Sequence, residues 1–207
     1  MDRLTFEIPE RDAANGIYAA MKAEVERRGS SVKLDDDIRS YIIDMAKWIT
    51  DPTAPHGLLL NGLYGNGKTT LARALGMFIE FVTEHETSYS DRSVMCFRTA
   101  QKICQLCASG EKSKEQRTEY QKLLHEPMLI IDDLGDEPRE VIVYGMVHKP
   151  IVDLLNERYD RRLMTIITTN LEPAEIRAIY GERVFDRMKE MFHTITFSNE
   201  SFRHVKK

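Results

Sequence analysis

Gly62-Leu63-Tyr64-Gly65-Asn66-Gly67-Lys68-Thr69 fits the pattern G-x-x-x-x-G-K-[ST] at every fixed position. Its glycines let the backbone bend so that successive N–H groups point into one concavity. That concavity opens onto a helix N-terminus, where unpaired N–H groups and the helix dipole favour an anion. Lys68 adds a point charge for the terminal phosphates of a nucleotide, and the Thr69 hydroxyl can ligate Mg²⁺. The candidate ATP contacts are therefore Gly62, Leu63, Tyr64, Gly65, Asn66, Gly67, Lys68, Thr69 and Thr70.

The pattern needs a buried strand before it and a helix after it. Gly57-Leu58-Leu59-Leu60-Asn61 is the apolar run before it. After it, Leu71, Leu75, Phe78, Ile79 and Val82 recur at helical spacing and make one apolar stripe.

Further apolar runs at 94–97, 128–131, 165–168 and 194–197 alternate with stretches of helical period. This βαβ pattern predicts an α/β fold: a five-stranded parallel sheet with helices on both faces, a three-layer αβα core. Upstream, residues 12–28 and 35–49 read as two helices, and Asp51-Pro52-Thr53-Ala54-Pro55 as a breaker-rich connection. The division is a short helical N-terminal extension, residues 1–50, and an ATP-binding core, residues 51–207, whose nucleotide-binding part starts at His56. Residues 109–115 form the one conspicuous polar loop of that core. Only ten residues follow the last apolar run, too few for a C-terminal helical lid.

Composition sets bounds. The chain has 207 residues, 42% hydrophobic and 30% charged, as expected of one soluble globular domain. No apolar run approaches the length that spans a bilayer, and the N-terminus lacks secretory features, so a cytoplasmic protein without membrane contact is expected. A net charge of −4 excludes a globally basic, DNA-coating surface but leaves room for a local patch. Cys104 and Cys107 form a C-x-x-C with no second pair or nearby histidine, which favours core thiols over a redox or zinc pair.

Three further stretches carry chemistry. Met128-Leu129-Ile130-Ile131-Asp132-Asp133 is an apolar strand ending in two acids. Ligands of parallel sheets bind beyond the strands' carboxyl ends, which puts Asp132 beside the phosphate loop as a Mg²⁺ ligand. Asp133 then faces the γ-phosphate side, able to orient or deprotonate the attacking water. Met164-Thr165-Ile166-Ile167-Thr168-Thr169-Asn170 is a second buried strand with a polar tip. The amide of Asn170 either bonds the γ-phosphate and the water or merely closes a turn before Glu172-Pro173. Arg183 and Arg187, four residues apart, share a helical face; either a bound anion relieves their repulsion, or Asp186 and Glu190 make a surface ladder with them.

In this order the parts resemble the AAA+ ATPases of the DnaC/DnaI/IstB type, bacterial helicase loaders and transposition ATPases, over about residues 56–203. Gly62 to Thr69 looks like their Walker A, and Ile-Ile-Asp-Asp-Leu-Gly like their Walker B. Thr-Ile-Ile-Thr-Thr-Asn ends at a residue similar to their sensor 1, Asn170. Tyr-Gly-Glu-Arg-Val-Phe-Asp-Arg-Met looks like the box that carries their arginine finger, which implies Arg187 as the finger and Arg183 as its neighbour. Ser201-Phe202-Arg203 resembles a C-terminal Ser-Tyr-Arg signature and implies Arg203 as a phosphate contact. The resemblance implies catalysis by Lys68, Asp132, Asp133 and Asn170 of one subunit with Arg187 of the next. It implies Mg-ATP hydrolysis, an ATP-dependent homo-oligomer, single-stranded DNA and a replicative helicase or transposase as partners, and a role in DNA replication or transposition. Two departures stand out. Asp133 is one methylene shorter than the glutamate more usual there, and only about 50 residues precede the core where helicase loaders usually carry a larger module. The region Arg98, Lys102, Lys112, Lys114 and Arg117 faces the central pore in related assemblies; otherwise it is a solvated helical face. Apart from the resemblance, a P-loop kinase of a small acceptor and a nucleotide-dependent clamp with negligible turnover are the alternatives.

Overall fold

Alternation along each strand builds this molecule. In the computed structural model, which describes residues 6–32, 34–86, 95–110 and 113–202, Leu58 and Leu60 join one apolar cluster while Leu59 joins another. Ile130 and Ile166 go with the first, and Leu129, Ile131 and Ile167 with the second. A strand whose successive side chains point to opposite faces needs cover on both, so these runs read as continuously apolar.

The strands are β1 (Gly57–Gly62), β2 (Cys96–Thr99), β3 (Met128–Leu134), β6 (Met164–Thr169) and β7 (Phe192–Phe197), in the spatial order β2-β3-β6-β1-β7. Every pairing is parallel. The first face is covered by α1 (Glu10–Arg27), α2 (Asp36–Thr50) and α3 (Lys68–Glu86). The second carries α4 (Ala100–Ser109), α5 (Lys114–His125), α6 (Pro150–Asp160), α7 (Pro173–Tyr180) and α8 (Glu182–Met191). The expected three-layer αβα architecture with five parallel strands is therefore present. All five apolar stripe residues of α3 are buried. Among the described residues no helix follows β7.

Local chemistry explains the helix starts. Asp35 accepts the Ile38 N–H at 2.8 Å, Thr99 that of Lys102 at 3.1 Å, and Ser113 that of Gln116 at 3.3 Å, each satisfying a first-turn donor. Ser113 thereby turns the end of the polar stretch 109–115 into the start of α5, so the expected loop is shorter than its composition indicates. The early helices share the core of the sheet: Ala13, Ile17 and Met21 of α1 and seven residues of α2 are buried. Gly16 is what lets α1 lie so close to α3, since a Cβ there would meet the Phe78 ring at 2.4 Å.

One element has no counterpart in the sequence reading. β4 (Val141–Val143) and β5 (Met146–His148) pair antiparallel around Tyr144-Gly145, both at positive φ (50° and 74°). That is the backbone a two-residue hairpin turn requires. The hairpin leaves Ile142, Tyr144, Met146 and Val147 exposed.

Candidate nucleotide-binding site

β6 lies between β1 and β3, so the carboxyl ends of these three strands converge on the N-terminus of α3. β1 delivers the phosphate loop, β3 the acids and β6 the polar tip. This is the edge at which parallel α/β sheets bind ligands.

Gly62 is tightly boxed: a Cβ there would lie 2.4 Å from the Phe197 carbonyl oxygen and 2.7 Å from Asn66 Nδ2. The loop is fixed from β7 and beyond. Asn66 Nδ2 donates to the Phe197 carbonyl at 3.3 Å, Asn199 Nδ2 to the Asn66 carbonyl at 3.2 Å, and the Phe202 N–H to the Gly65 carbonyl at 2.9 Å. The Phe202 ring lies over Gly67. Tyr41 of α2 stacks on Phe197 at 4.1 Å and accepts the Ser198 N–H at 2.9 Å, which anchors this C-terminal segment. Leu63 and Tyr64 stand out into solvent, 73% and 63% exposed.

Lys68 is buried at 5% exposure, with Nζ among four oxygens: the carbonyls of Gly62 (2.6 Å) and Leu63 (2.7 Å), Asn66 Oδ1 (3.0 Å) and Asn170 Oδ1 (2.8 Å). An ammonium has three donors, so these acceptors compete for it, and a phosphate oxygen can replace one without stranding a donor. The Asn170 amide thus touches the lysine directly.

Asp132 is 4% exposed. Its Oδ1 accepts from Thr69 Oγ1 at 2.8 Å and from Thr168 Oγ1 at 2.7 Å. Only hydroxyls bond it among the described residues, and no ion pair reaches it. A buried carboxylate beside a hydroxyl at a phosphate site suits a hard cation with oxygen ligands, so Thr69 and Asp132 fit Mg²⁺. No cluster of three or more His, Cys, Asp or Glu occurs among the described residues.

Asp133 differs from its neighbour in backbone. It sits at φ 54°, where the register of β3 on β6 shifts between Ile131 and Leu134. The bulge re-aims the strand end next to the site. The Asp133 N–H donates to Thr168 Oγ1 at 2.9 Å. Thr168 therefore ties both acids to β6. Sequence reasoning does not single it out, because β6 carries three buried threonines, Thr165, Thr168 and Thr169, and only the pairing with β3 shows which one meets the acids.

The arginines lie apart from these groups, on α8. Arg187 donates from Nη1 to Asn156 Oδ1 at 2.8 Å, pairs through Nη2 with Asp160 at 3.2 Å and lies 4.6 Å from the Tyr159 ring centre, with its side chain 19% exposed. Arg183 is exposed, with no hydrogen bond or ion pair among the described residues. Arg203, Lys112 and Val94 fall outside the described residues. The cysteines are free thiols on the second face. Burial pushes Cys104 up to about 12 and Cys107 above its ordinary value, leaving little thiolate at neutral pH.

The strand order, the phosphate loop and the acids at the end of β3 define a P-loop nucleotide-binding protein of AAA+ type. A comparison with protein-family models matches residues 43–207 to the IstB-like ATP binding proteins. The chain belongs to that family. No curated protein matches it. Among solved structures it is similar to a DnaC helicase loader (22% identity, 81% of this chain and 93% of that one, TM-score 0.61). It is also similar to DnaI (17% identity, 94% and 96%, TM-score 0.59). Aquifex aeolicus DnaA bound to AMPPCP matches at 13% identity, with a TM-score of 0.56, over 82% of this chain and 49% of that one. These identities speak for the fold, and the three neighbours share it.

Proposed function

We propose that this chain is a Mg-ATP-dependent ATPase that assembles on single-stranded DNA as a helicase-loader-like factor of DNA replication, in the cytoplasm. The carrying observation is the convergence of Lys68 with Asn170 and of Thr69 with Asp132 and Thr168 at one strand edge. Lys68 moves from loop carbonyls to the β- and γ-phosphates. Asn170, released from the lysine, orients the attacking water, and Asp133 accepts its proton. Thr69 and Asp132 would hold magnesium, which when bound would supply charge neutralisation on the phosphates. Arg187 of a neighbouring subunit completes the site. In the single chain its guanidinium is held by Asn156 and Asp160, so assembly has to draw it away from both.

DNA contact is proposed along Lys102, Lys114 and Arg117, which are exposed; Arg98 pairs with Glu119 at 3.0 Å and contributes less. One structural neighbour, a DnaA, is described as bound to AMPPCP and single-stranded DNA, at 14% identity. No helix among the described residues is long and apolar enough to cross a membrane. The family match supports a second reading, an ATPase that serves a transposase of a mobile element.

The test is ATP turnover by the wild type, Lys68→Ala and Arg187→Ala, each with and without single-stranded DNA, together with particle mass. Lys68→Ala is expected to lose nucleotide binding. Arg187→Ala is expected to bind ATP and lose assembly-stimulated turnover, a finger being worth about 10³–10⁵ in rate. Full DNA-stimulated turnover by Arg187→Ala would remove the finger from this account. A wild type that binds ATP but never releases phosphate would make the protein a clamp.

A further inference from the structure

Arg28 belongs to none of the motifs. It caps the C-terminus of α1, which runs antiparallel to α3: Gly16 meets Phe78, and further along α1 Arg28 reaches Thr70. Its Nη1 lies 3.5 Å from Thr70 Oγ1, one residue beyond Thr69 in the first turn of the phosphate-loop helix. Its Nη2 is held by Glu24 Oε1, and the same carboxylate takes Arg27 Nε and Nη2 at 3.0 and 2.8 Å. The Glu24 side chain is 3% exposed and that of Arg28 44%. Burial raises the Glu24 carboxyl, but the bonds and charges of Arg27 and Arg28 more than reverse this, so it stays ionised.

One carboxylate thus anchors two guanidiniums, leaving an excess positive charge. That charge faces the N-terminus of α3, already the positive end of a helix dipole and already carrying Lys68. Such a placement is unfavourable in the empty protein and becomes favourable once an anion lies between the two. Lys68 and Thr69 serve the terminal phosphates and the metal, on the side of Asp132. Thr70, one position on, turns away from Asp132 towards α1. A phosphate loop cradles the α- and β-phosphates while its lysine reaches the β- and γ-phosphates, so the α-phosphate is the one left for a donor beside Thr70.

We propose that Arg28 is a nucleotide-contacting residue, its guanidinium donating to the α-phosphate of the nucleotide held by the phosphate loop. The N-terminal helix then supplies part of the binding site, and binding of nucleotide tightens α1 onto α3. The proposal rests on nucleotide binding at this loop and adds a contact common to ATP and ADP.

Calorimetric titration of the full chain with Mg-ATP and Mg-ADP tests it. Arg28→Ala is expected to weaken both nucleotides by the same factor, about tenfold, the low end for a charge-assisted bond at a half-exposed site. Arg28→Lys, which keeps the charge and the pairing with Glu24, is expected to weaken them less. Arg11→Ala, which removes the same charge from the exposed start of α1, is expected to bind both as the wild type does. The proposal is overturned if Arg28→Ala binds ADP within twofold of the wild type, or if only ATP is weakened, which would place the guanidinium at the γ-phosphate. It is also overturned if Arg11→Ala weakens both nucleotides as much as Arg28→Ala, since the effect would then be bulk charge. A wild type that takes up neither nucleotide overturns the ATP reading itself, an outcome distinct from the others.

Discussion

Replacing Thr168 by valine removes one oxygen and almost no volume, at a residue with 0% exposure. Two bonds go with that oxygen. Its hydroxyl donates to Asp132 Oδ1 at 2.7 Å, and it accepts the Asp133 N–H at 2.9 Å. The first is charge-assisted, worth about 1.5–3 kcal/mol. The second is neutral, worth about 1 kcal/mol, and its loss leaves a half-buried N–H short of an acceptor, which adds to the cost. Allowing for relaxation of the bulge at Asp133, Thr168→Val should destabilise the nucleotide-free protein by about 3 kcal/mol. With an m-value of about 2–3 kcal/mol/M, the urea midpoint should fall by about 1–1.5 M. Thr168→Ser, which keeps the oxygen, should lose less than half of this. In single-turnover hydrolysis, Thr168→Val should slow the chemical step more than it weakens ATP binding, because Asp133 loses its tether while the phosphate loop is untouched. A stability change below about 1 kcal/mol would refute the reasoning, since it would mean that neither acid depends on Thr168 for its position.

Two other perturbations follow from buried charges. Arg158 is fully buried and bonds Thr165 Oγ1 at 2.7 Å and the carbonyls of Glu126 (2.8 Å), Met164 (2.6 Å) and Leu123 (3.4 Å), joining the end of α5 to the start of β6. Burial pushes it down to about 9, so it is still protonated at neutral pH. Arg158→Met should cost about 3 kcal/mol in urea unfolding by stranding those acceptors, with folded-state ATP affinity unchanged. Glu24 lies below its ordinary value in the folded chain, so its stabilising contribution is fully present above the unfolded value near 4.5 and is lost as pH falls through the folded one. The stability gap between the wild type and Glu24→Gln, followed by urea unfolding from about pH 7 to about pH 3, should therefore be constant above about pH 5 and shrink below it. A gap that widened in acid would reverse the assignment.

Contiguity decides how much can be read in advance. A phosphate cradle is built from consecutive backbone N–H groups, so Gly62 to Thr69 announces itself, together with the strand and helix it needs. The alternation of apolar runs with helical stretches likewise exposes a sheet covered on both faces, because strands buried twice must be apolar throughout. The hairpin at 141–148 escaped because its strands are three residues long and only Val141 among them is buried, too short a stretch to show an alternating pattern. Thr168 escaped because its partners come from another strand, 35 and 36 residues away.

The chain order alone thus commits this protein to a P-loop sheet that can grip a triphosphate, since the motif and its flanking elements are local. Which side chains meet across the loop is a matter of strand order and helix packing. β6 has to lie between β1 and β3 before Asn170 can touch Lys68 or Thr168 can hold Asp132. α1 has to lie antiparallel on α3 before Arg28 can approach Thr70 across 42 residues. Neither arrangement leaves a periodic trace, because burial of the two apolar faces, not spacing along the backbone, brings those groups together.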